Sequence, residues 1–254
     1  MGDAGEILEH RSFLKADWEA VDFQKTDQAL KIPAPPQEKP FDPRSRLVDL
    51  VPREEWRIGG LSVAEAIHAR RSRRRFDPGP LSLEELSFLL YSTQGMKRRL
   101  EVHSFRTVPS GGARHSFETY VYVDRVTGLP GGLYRYLPIE GKLLSHEPLR
   151  EGMARDLDEA TDGQLMGAAA YFIWTTLPYR MEWRYSIASA KIIAIDVGHV
   201  CQNLYLACEA IGCGTCGIGA YSQEKMDRFL GVDGVEEFAL YMAPVGKVAQ
   251  APLQ

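Results

Sequence analysis

A chain of 254 residues with 44% hydrophobic content is long enough to bury a substantial core. Its formal net charge of -4 argues against nucleic acid or an anionic membrane as the main partner, and no stretch reaches the roughly 20 uninterrupted apolar residues that cross a bilayer. The opening MGDAGEILEHR is of mixed charge and lacks the apolar core of a secretory signal, so the expected location is the cytoplasm.

Residues 1–60 carry Pro33, Pro35, Pro36, Pro40, Pro43 and Pro52 between short apolar pieces. That composition predicts an extended arm lying along the main body or a second subunit, followed by one domain over residues 61–250. Ser62 with Glu65 forms a capping box that opens a helix through Val63, Ala66 and Ile67 to near Arg70; Ser82 with Glu85 opens another, through Leu86, Leu89 and Leu90 to about Thr93.

Between these helices lies RRSRRRF, Arg70 to Phe76. Such a run is ordinarily a solvated charge stretch or a polyanion patch, but the chain's overall acidity and the absence of interleaved aromatic residues disfavour nucleic acid. In an extended segment Arg70, Ser72 and Arg74 point one way and Arg71, Arg73 and Arg75 the other. Two guanidinium forks and a hydroxyl converging on one point suit a phosphate.

A loop with Pro109, Ser110, Gly111 and Gly112 precedes a strand over Glu118–Asp124, and Gly131-Gly132 turns the chain into a short strand over Leu133–Tyr136. A helix is expected over Leu149–Ala160 and a buried central strand over Ala168–Thr176; Pro178–Ser186 is polar and aromatic. From Ala188 to Ile211, apolar residues at Ile193, Val197, Val200, Leu204, Cys208 and Ile211 follow helical spacing. This helix would be roughly 36 Å long. Only a strip with His199, Gln202, Asn203 and Glu209 is polar, so the helix must be buried in the domain or against a partner.

Gly212 should end this helix. In the following GCGTCGIGAY, glycines bring bare backbone N–H groups within reach of a ligand. A short helix over Gln223–Leu230 and a strand over Phe238–Val245, running into Gly246-Lys247, complete the chain. The pattern is α+β, with a mixed, mostly antiparallel sheet, helices on both faces and a long buried central helix.

All four cysteines, Cys201, Cys208, Cys213 and Cys216, lie close together. The last three have the spacing of plant-type iron–sulfur ligands, but Cys201 falls on the same helix face as Cys208, and buried thiols in a reducing compartment fit the clustering better. No metal site is therefore expected.

RRSRRRF, PSGGARHSFETYVYV, WRY, DVGHVCQNLYLACEAIGCGTCGIGAY and YMAPVGK, in that order over about residues 60 to 250, resemble the FMN-dependent nitroreductase superfamily. More narrowly, they resemble its azoline dehydrogenases, which mature thiazole- and oxazole-containing peptides. The resemblance implies a nitroreductase-like fold and a homodimer with FMN at the interface. It places Arg70, Ser72 and Arg74 at the FMN phosphate and ribityl chain, and Lys247 as a basic residue closing on the phosphate. Pro109, Ser110 and Gly111 would lie along the isoalloxazine ring, and one N–H of the Ile218-Gly219 pair would face flavin N5. The Asn often found four residues after that proline is Ala113 here.

In the azoline branch the Trp183-Arg184-Tyr185 position typically reads Trp-Lys-Tyr, with lysine and tyrosine handling the proton. Arg184 stays protonated and makes a poor base, leaving it to bind an anionic substrate or to serve as a surface cation. Tyr185 is a candidate acid or a packing residue, and His199 reads as a core histidine. The expected function is hydride transfer through flavin N5 between a transiently bound NADH or NADPH and a small aromatic, quinone or heterocyclic substrate. The alternatives are azoline oxidation in peptide maturation and a flavin-binding subunit without turnover.

Overall fold

The computed structural model describes residues 4–248; residues 1–3 and 249–254, at the ends of the expected arm and domain, lie outside the described part. Helices are α1 (Ala4–His10), α2 (Val63–Ala69), α3 (Leu83–Gln94), α4 (Met153–Ala160), α5 (Tyr179–Tyr185), α6 (Ser189–Ala210) and α7 (Gln223–Leu230). Strands are β1 (Leu47–Asp49), β2 (Leu81–Ser82), β3 (Met96–Arg99), β4 (Ser104–Arg106), β5 (Phe117–Val123), β6 (Val126–Thr127), β7 (Gly132–Leu137), β8 (Lys142–Pro148), β9 (Ala170–Thr176), β10 (Cys213–Thr215) and β11 (Phe238–Lys247).

Seven strands form the main sheet in the order β1-β8-β7-β5-β9-β11-β10, every neighbouring pair antiparallel. Alternation along the central strands sends residues to two separate cores. Val121, Val123, Phe172, Trp174, Ala243 and Val245 pack with α3 and α6, while Tyr120, Tyr122, Tyr171, Ile173, Ala239 and Met242 pack with α4 and α7. Helices thus cover both faces of an α+β fold, as the sequence pattern predicts.

Both capping boxes are present, with Ser62 and Ser82 accepting from the backbone N–H of Glu65 and Glu85. The strand–helix boundary near residue 149 differs from expectation. Lys142–Pro148 is a strand, and α4 begins only at Met153, after Gly152 at φ 81°. Expecting a helix from Leu149 overlooked that left-handed glycine, which separates the two elements. Pro178–Ser186 contains the one short helix α5, and Cys213–Thr215 of the glycine-rich loop pairs with β11 as an edge strand.

The N-terminal segment is not extended throughout. The prolines begin only at Pro33, and α1 with a 3₁₀ turn over Arg11–Leu14 precedes them. After the first prolines the chain is stitched to the main sheet, where Lys39 N–H donates to Glu118 (2.8 Å) and Arg135 donates to the Lys39 carbonyl (2.9 Å), and to the separate β3-β4 pair, where Arg106 donates to the Gln37 carbonyl (2.8 Å). It then contributes β1 to the sheet edge.

Helix α6 spans 22 residues, roughly 33 Å. One side, from Ile193 through Val197, Val200 and Leu204 to Cys208, is buried against the sheet and α3. Within the single chain the helix is not buried in the middle of the domain: His199 and Gln202 of the polar strip are exposed, and so are Gly198 and, at 50%, Ile195, because the sheet and α3 cover only one side of a helix. The four cysteines are free and buried, and burial pushes the Cys201 and Cys213 thiols up to about 12. No helix among the described residues is long and apolar enough to cross a membrane.

Candidate functional site

At Arg70 the backbone leaves α2 and becomes extended, and the segment is then pinned beside the last strands: Arg73 N–H donates to Thr215 and Asp77 N–H to Lys247, both 2.9 Å. Alternation along it separates the side chains. The half-buried Arg70 guanidinium lies 5.5 Å from the Tyr205 ring centre, and Ser72 Oγ is 3.1 Å from Tyr205 Oη. Arg73 turns instead to Glu209, at 3.8 Å. Arg74 is exposed and makes no hydrogen bond, ion pair or ring contact among the described residues.

Tyr205 is the junction of this end of α6, and sequence reasoning passed over it. Its hydroxyl also accepts the Gly217 N–H at 2.7 Å, fixing the start of the Gly217-Ile218-Gly219 turn. Ile218 is fully used by the sheet, donating to Met242 (2.8 Å) and accepting from it (3.1 Å). Of the Ile218-Gly219 pair, the N–H without an acceptor among the described residues is that of the exposed Gly219. Gly219 is exposed, and a Cβ added there would meet nothing beyond its chain neighbours closer than the Tyr241 ring at 3.9 Å. Lys247 is engaged elsewhere: its ammonium pairs with Glu85, whose other oxygen caps α3 through Ser82 N–H (2.8 Å).

A second group forms near the start of α6. Ser110 Oγ accepts from His115 N–H (2.9 Å), and Gly111 N–H donates to the buried Asp196 carboxylate at 3.0 Å. Burial raises the Asp196 pKa despite the opposing hydrogen bonds from Ser110 and Gly111. Gly112 is required here. Its φ is 56°, and a Cβ would lie 2.7 Å from Tyr185 Oη and 2.9 Å from Arg184 Nε.

Helix α5 carries Arg184 and Tyr185 to this loop because its other side is tied down. Arg180 donates to Glu118 (2.6 Å), Arg114 donates to the Arg180 carbonyl (2.8 Å) and stacks 4.6 Å over Trp183, and Trp183 Nε1 donates to Ile32 (2.9 Å). His199 is exposed, so it is not the core histidine its apolar surroundings in sequence suggested; it lies on the uncovered side of α6. Pro109, Ser110, Gly112, Ala113 and Arg184 border a cleft of about 650 Å³.

Apart from Arg74, which is unengaged among the described residues, and Lys247, held by Glu85, the residue set assigned to one ligand falls into two groups. They are anchored on Asp196 and Tyr205, nine positions apart on α6 and roughly 13 Å along its axis.

A model of the nitroreductase family matches residues 67–247. The chain belongs to the nitroreductase family. It is 30% identical over 200 residues to the protein of Methanocaldococcus jannaschii named as nitroreductase MJ1384, covering 75% of this chain and 93% of that protein. It is also 30% identical over 148 residues to the trifolitoxin-processing protein TfxB of Rhizobium leguminosarum bv. trifolii, covering 53% of this chain but only 39% of the relative. Its fold is similar to that in the Escherichia coli microcin synthetase McbBCD complex with truncated pro-MccB17 bound: TM-score 0.60, 18% identity, 96% of this chain and 93% of that chain covered.

As a nitroreductase-family protein the chain is an oxidoreductase, and its donor set is compatible with a phosphate-bearing flavin. Arg70 and Ser72 present a guanidinium, without a carboxylate partner among the described residues, and a hydroxyl at Tyr205, and the bare Gly219 N–H lies two residues beyond the Gly217 that Tyr205 holds. Lys247 joins them only by leaving Glu85. Tyr205→Phe should lower stability by about 1–3 kcal/mol, since it strands the Gly217 N–H. Thermal melting would show this, and a melt matching wild type would remove Tyr205 from its organising role.

Proposed function

We propose that the protein is an FMN-dependent oxidoreductase that works as a homodimer, each flavin site drawing on both chains. The observation that carries this reading is the Tyr205 junction, where Arg70 and Ser72 stand ready for a phosphate and ribityl chain and the Gly219 N–H is left for a ring nitrogen. When bound, FMN would supply hydride transfer through N5. This chain's own residues supply the rest: Arg70, Ser72 and Arg74, with Lys247 once released from Glu85, hold the phosphate end; Gly219 N–H favours electron density at its ring partner; Pro109, Ser110 and Gly111 form a wall for the ring.

The separation of the two groups along α6 supports completion of each site by a second copy. So do apolar side chains left open on α2 and α6, with Val63 71%, Ile67 58% and Ile195 50% exposed. The four free thiols suit a reducing cytoplasm. NADH or NADPH would donate transiently, and a small nitroaromatic, quinone or heterocycle would accept or yield hydride. Tyr185, whose hydroxyl lies near Gly112, would hold or deliver a proton, whereas Arg184 of the cleft lining stays a cation.

Azoline oxidation in peptide maturation is the second reading, favoured by likeness to a trifolitoxin-processing protein and to a microcin synthetase complex. In the purified dimer, anaerobic NADH or NADPH should bleach a yellow FMN spectrum, and a quinone or nitro compound should restore it. A protein that is yellow but inert to every reductant would point to a binding subunit, and colourless protein would remove the flavin assignment. Arg184→Lys assayed for azoline oxidation tests the second reading.

A further inference from the structure

The cleft beside loop 109–112 carries charge of one sign. Lys97 of β3, Arg106 of β4 and Arg184 of α5 line it, with His103 and His115, and none of its lining residues is acidic. This is unexpected in a chain of net charge -4. Two buried carboxyl groups favour the Arg106 charge from a distance: Glu118 of β5, committed to Arg180 at 2.6 Å and to Lys39 N–H at 2.8 Å, and Glu38, which accepts from Ile139 N–H at 3.0 Å. Among the described residues, no carboxylate oxygen comes within 4.0 Å of a Lys97, Arg106 or Arg184 nitrogen.

Arg106 is 5% exposed and its ordered hydrogen bonds go to neutral acceptors, the Gln94 side chain and the Gln37 carbonyl; among the described residues its Nε is buried without a partner, as is His103 Nδ1. A buried guanidinium without an ion pair is costly unless an anion arrives. The local potential is also visible at His115, whose imidazole is held down to about 3, first by burial and then by Arg106. Arg184 adds a planar fork at the mouth, its guanidinium 5.4 Å from the Tyr185 ring centre.

We propose that this cleft is the substrate pocket and selects a substrate bearing a carboxylate, oriented by Arg184 and Lys97 with its reacting end toward loop 109–112. The inference rests on reading that loop as a wall of the reaction site. A volume of about 650 Å³ suits an aromatic or short peptidyl acid of drug-like size. Arg184 thus has the work of an anion receptor where a lysine would offer a titratable base.

Equilibrium dialysis of the purified protein against matched acid and amide pairs, among them 4-nitrobenzoate with 4-nitrobenzamide and an aryl-capped dipeptide acid with its amide, tests this directly. The acid should bind at least about tenfold more tightly than its amide, with the preference weakened by salt. Arg184→Gln should reduce the preference to about twofold, Arg184→Lys should restore part of it, and Lys97→Gln, on an exposed strand residue, should reduce it without affecting folding. Equal binding of acids and amides by wild type would overturn the proposal, and so would a preference that survives both glutamine variants. Flavin content and bleaching of the same preparation report separately. Yellow, reducible protein without acid preference would sink only the cleft assignment, and colourless protein that still prefers acids would sink only the cofactor assignment.

Discussion

Arg70→Ala combined with Ser72→Ala should give a folded protein that purifies nearly colourless. Arg70 leaves the end of α2 half-buried, with the Tyr205 ring beneath its guanidinium and no carboxylate among the described residues to neutralise it, and Ser72 presents its hydroxyl to the same tyrosine. Hydrogen bonds to a charged group contribute about 1.5–3 kcal/mol each, so losing both should weaken FMN binding on the order of a hundredfold or more. Neither side chain belongs to either core cluster, so the melting temperature should change little.

Arg74→Ala provides the comparison. In the single chain its side chain is exposed and unengaged, so its loss should cost only a few-fold in affinity unless it turns inward onto the phosphate. The measurement is FMN released per protein on heating, together with a flavin titration of the stripped protein. Undiminished flavin in the double variant would show that the phosphate is held elsewhere.

Glu118→Gln should be among the most destabilising single changes in the chain. The carboxylate is 2% exposed and serves three partners: Arg180 at 2.6 Å, Lys39 N–H at 2.8 Å and Arg135 at 3.9 Å. Both arginines are buried too. Removing one member of such a group leaves uncompensated buried charge and costs about 3–5 kcal/mol. In a domain of this size that is a fall in melting temperature on the order of 10 °C.

The same residue sets an acid limb of stability. Burial alone would raise the Glu118 pKa, but Arg180 and Arg135 outweigh it and hold the carboxyl below its ordinary value. A depressed carboxylate contributes stability above its unfolded value, about 4.3, and that contribution is lost as pH falls through the lower folded value. Wild type should therefore lose stability as pH drops below about 4.5, whereas Glu118→Gln should lack that component. Melting curves from pH 7 down to 3 check both points, and parallel curves for the two proteins would contradict the assignment. Because Arg180 anchors α5, the variant should also disturb Arg184 at the cleft wall and Tyr185 beside it.

The sequence by itself determined those features that depend on neighbours three or four residues away or on alternation. Ser62–Glu65 and Ser82–Glu85 specify helix starts locally, the apolar spacing from Ile193 to Cys208 specifies the buried side of α6, and the alternation of Arg70, Ser72 and Arg73 already sorts which side chains face Tyr205. Even Gly152, which divides β8 from α4, was a visible signal for a boundary placed too early.

Only the tertiary structure decided what distant partners do to a residue. It gave Ile218 N–H to Met242 and so left Gly219 as the open donor; it drew Lys247 to Glu85; it made Tyr205 a junction; it gathered Lys97, Arg106 and Arg184 around one cleft. A hydroxyl at position 205 or a lysine at 247 has the same local chemistry wherever the chain goes. Its partner is set by strand register and by which helix end packs against which loop, and these follow from cooperative burial of the whole core, which no short window of sequence contains.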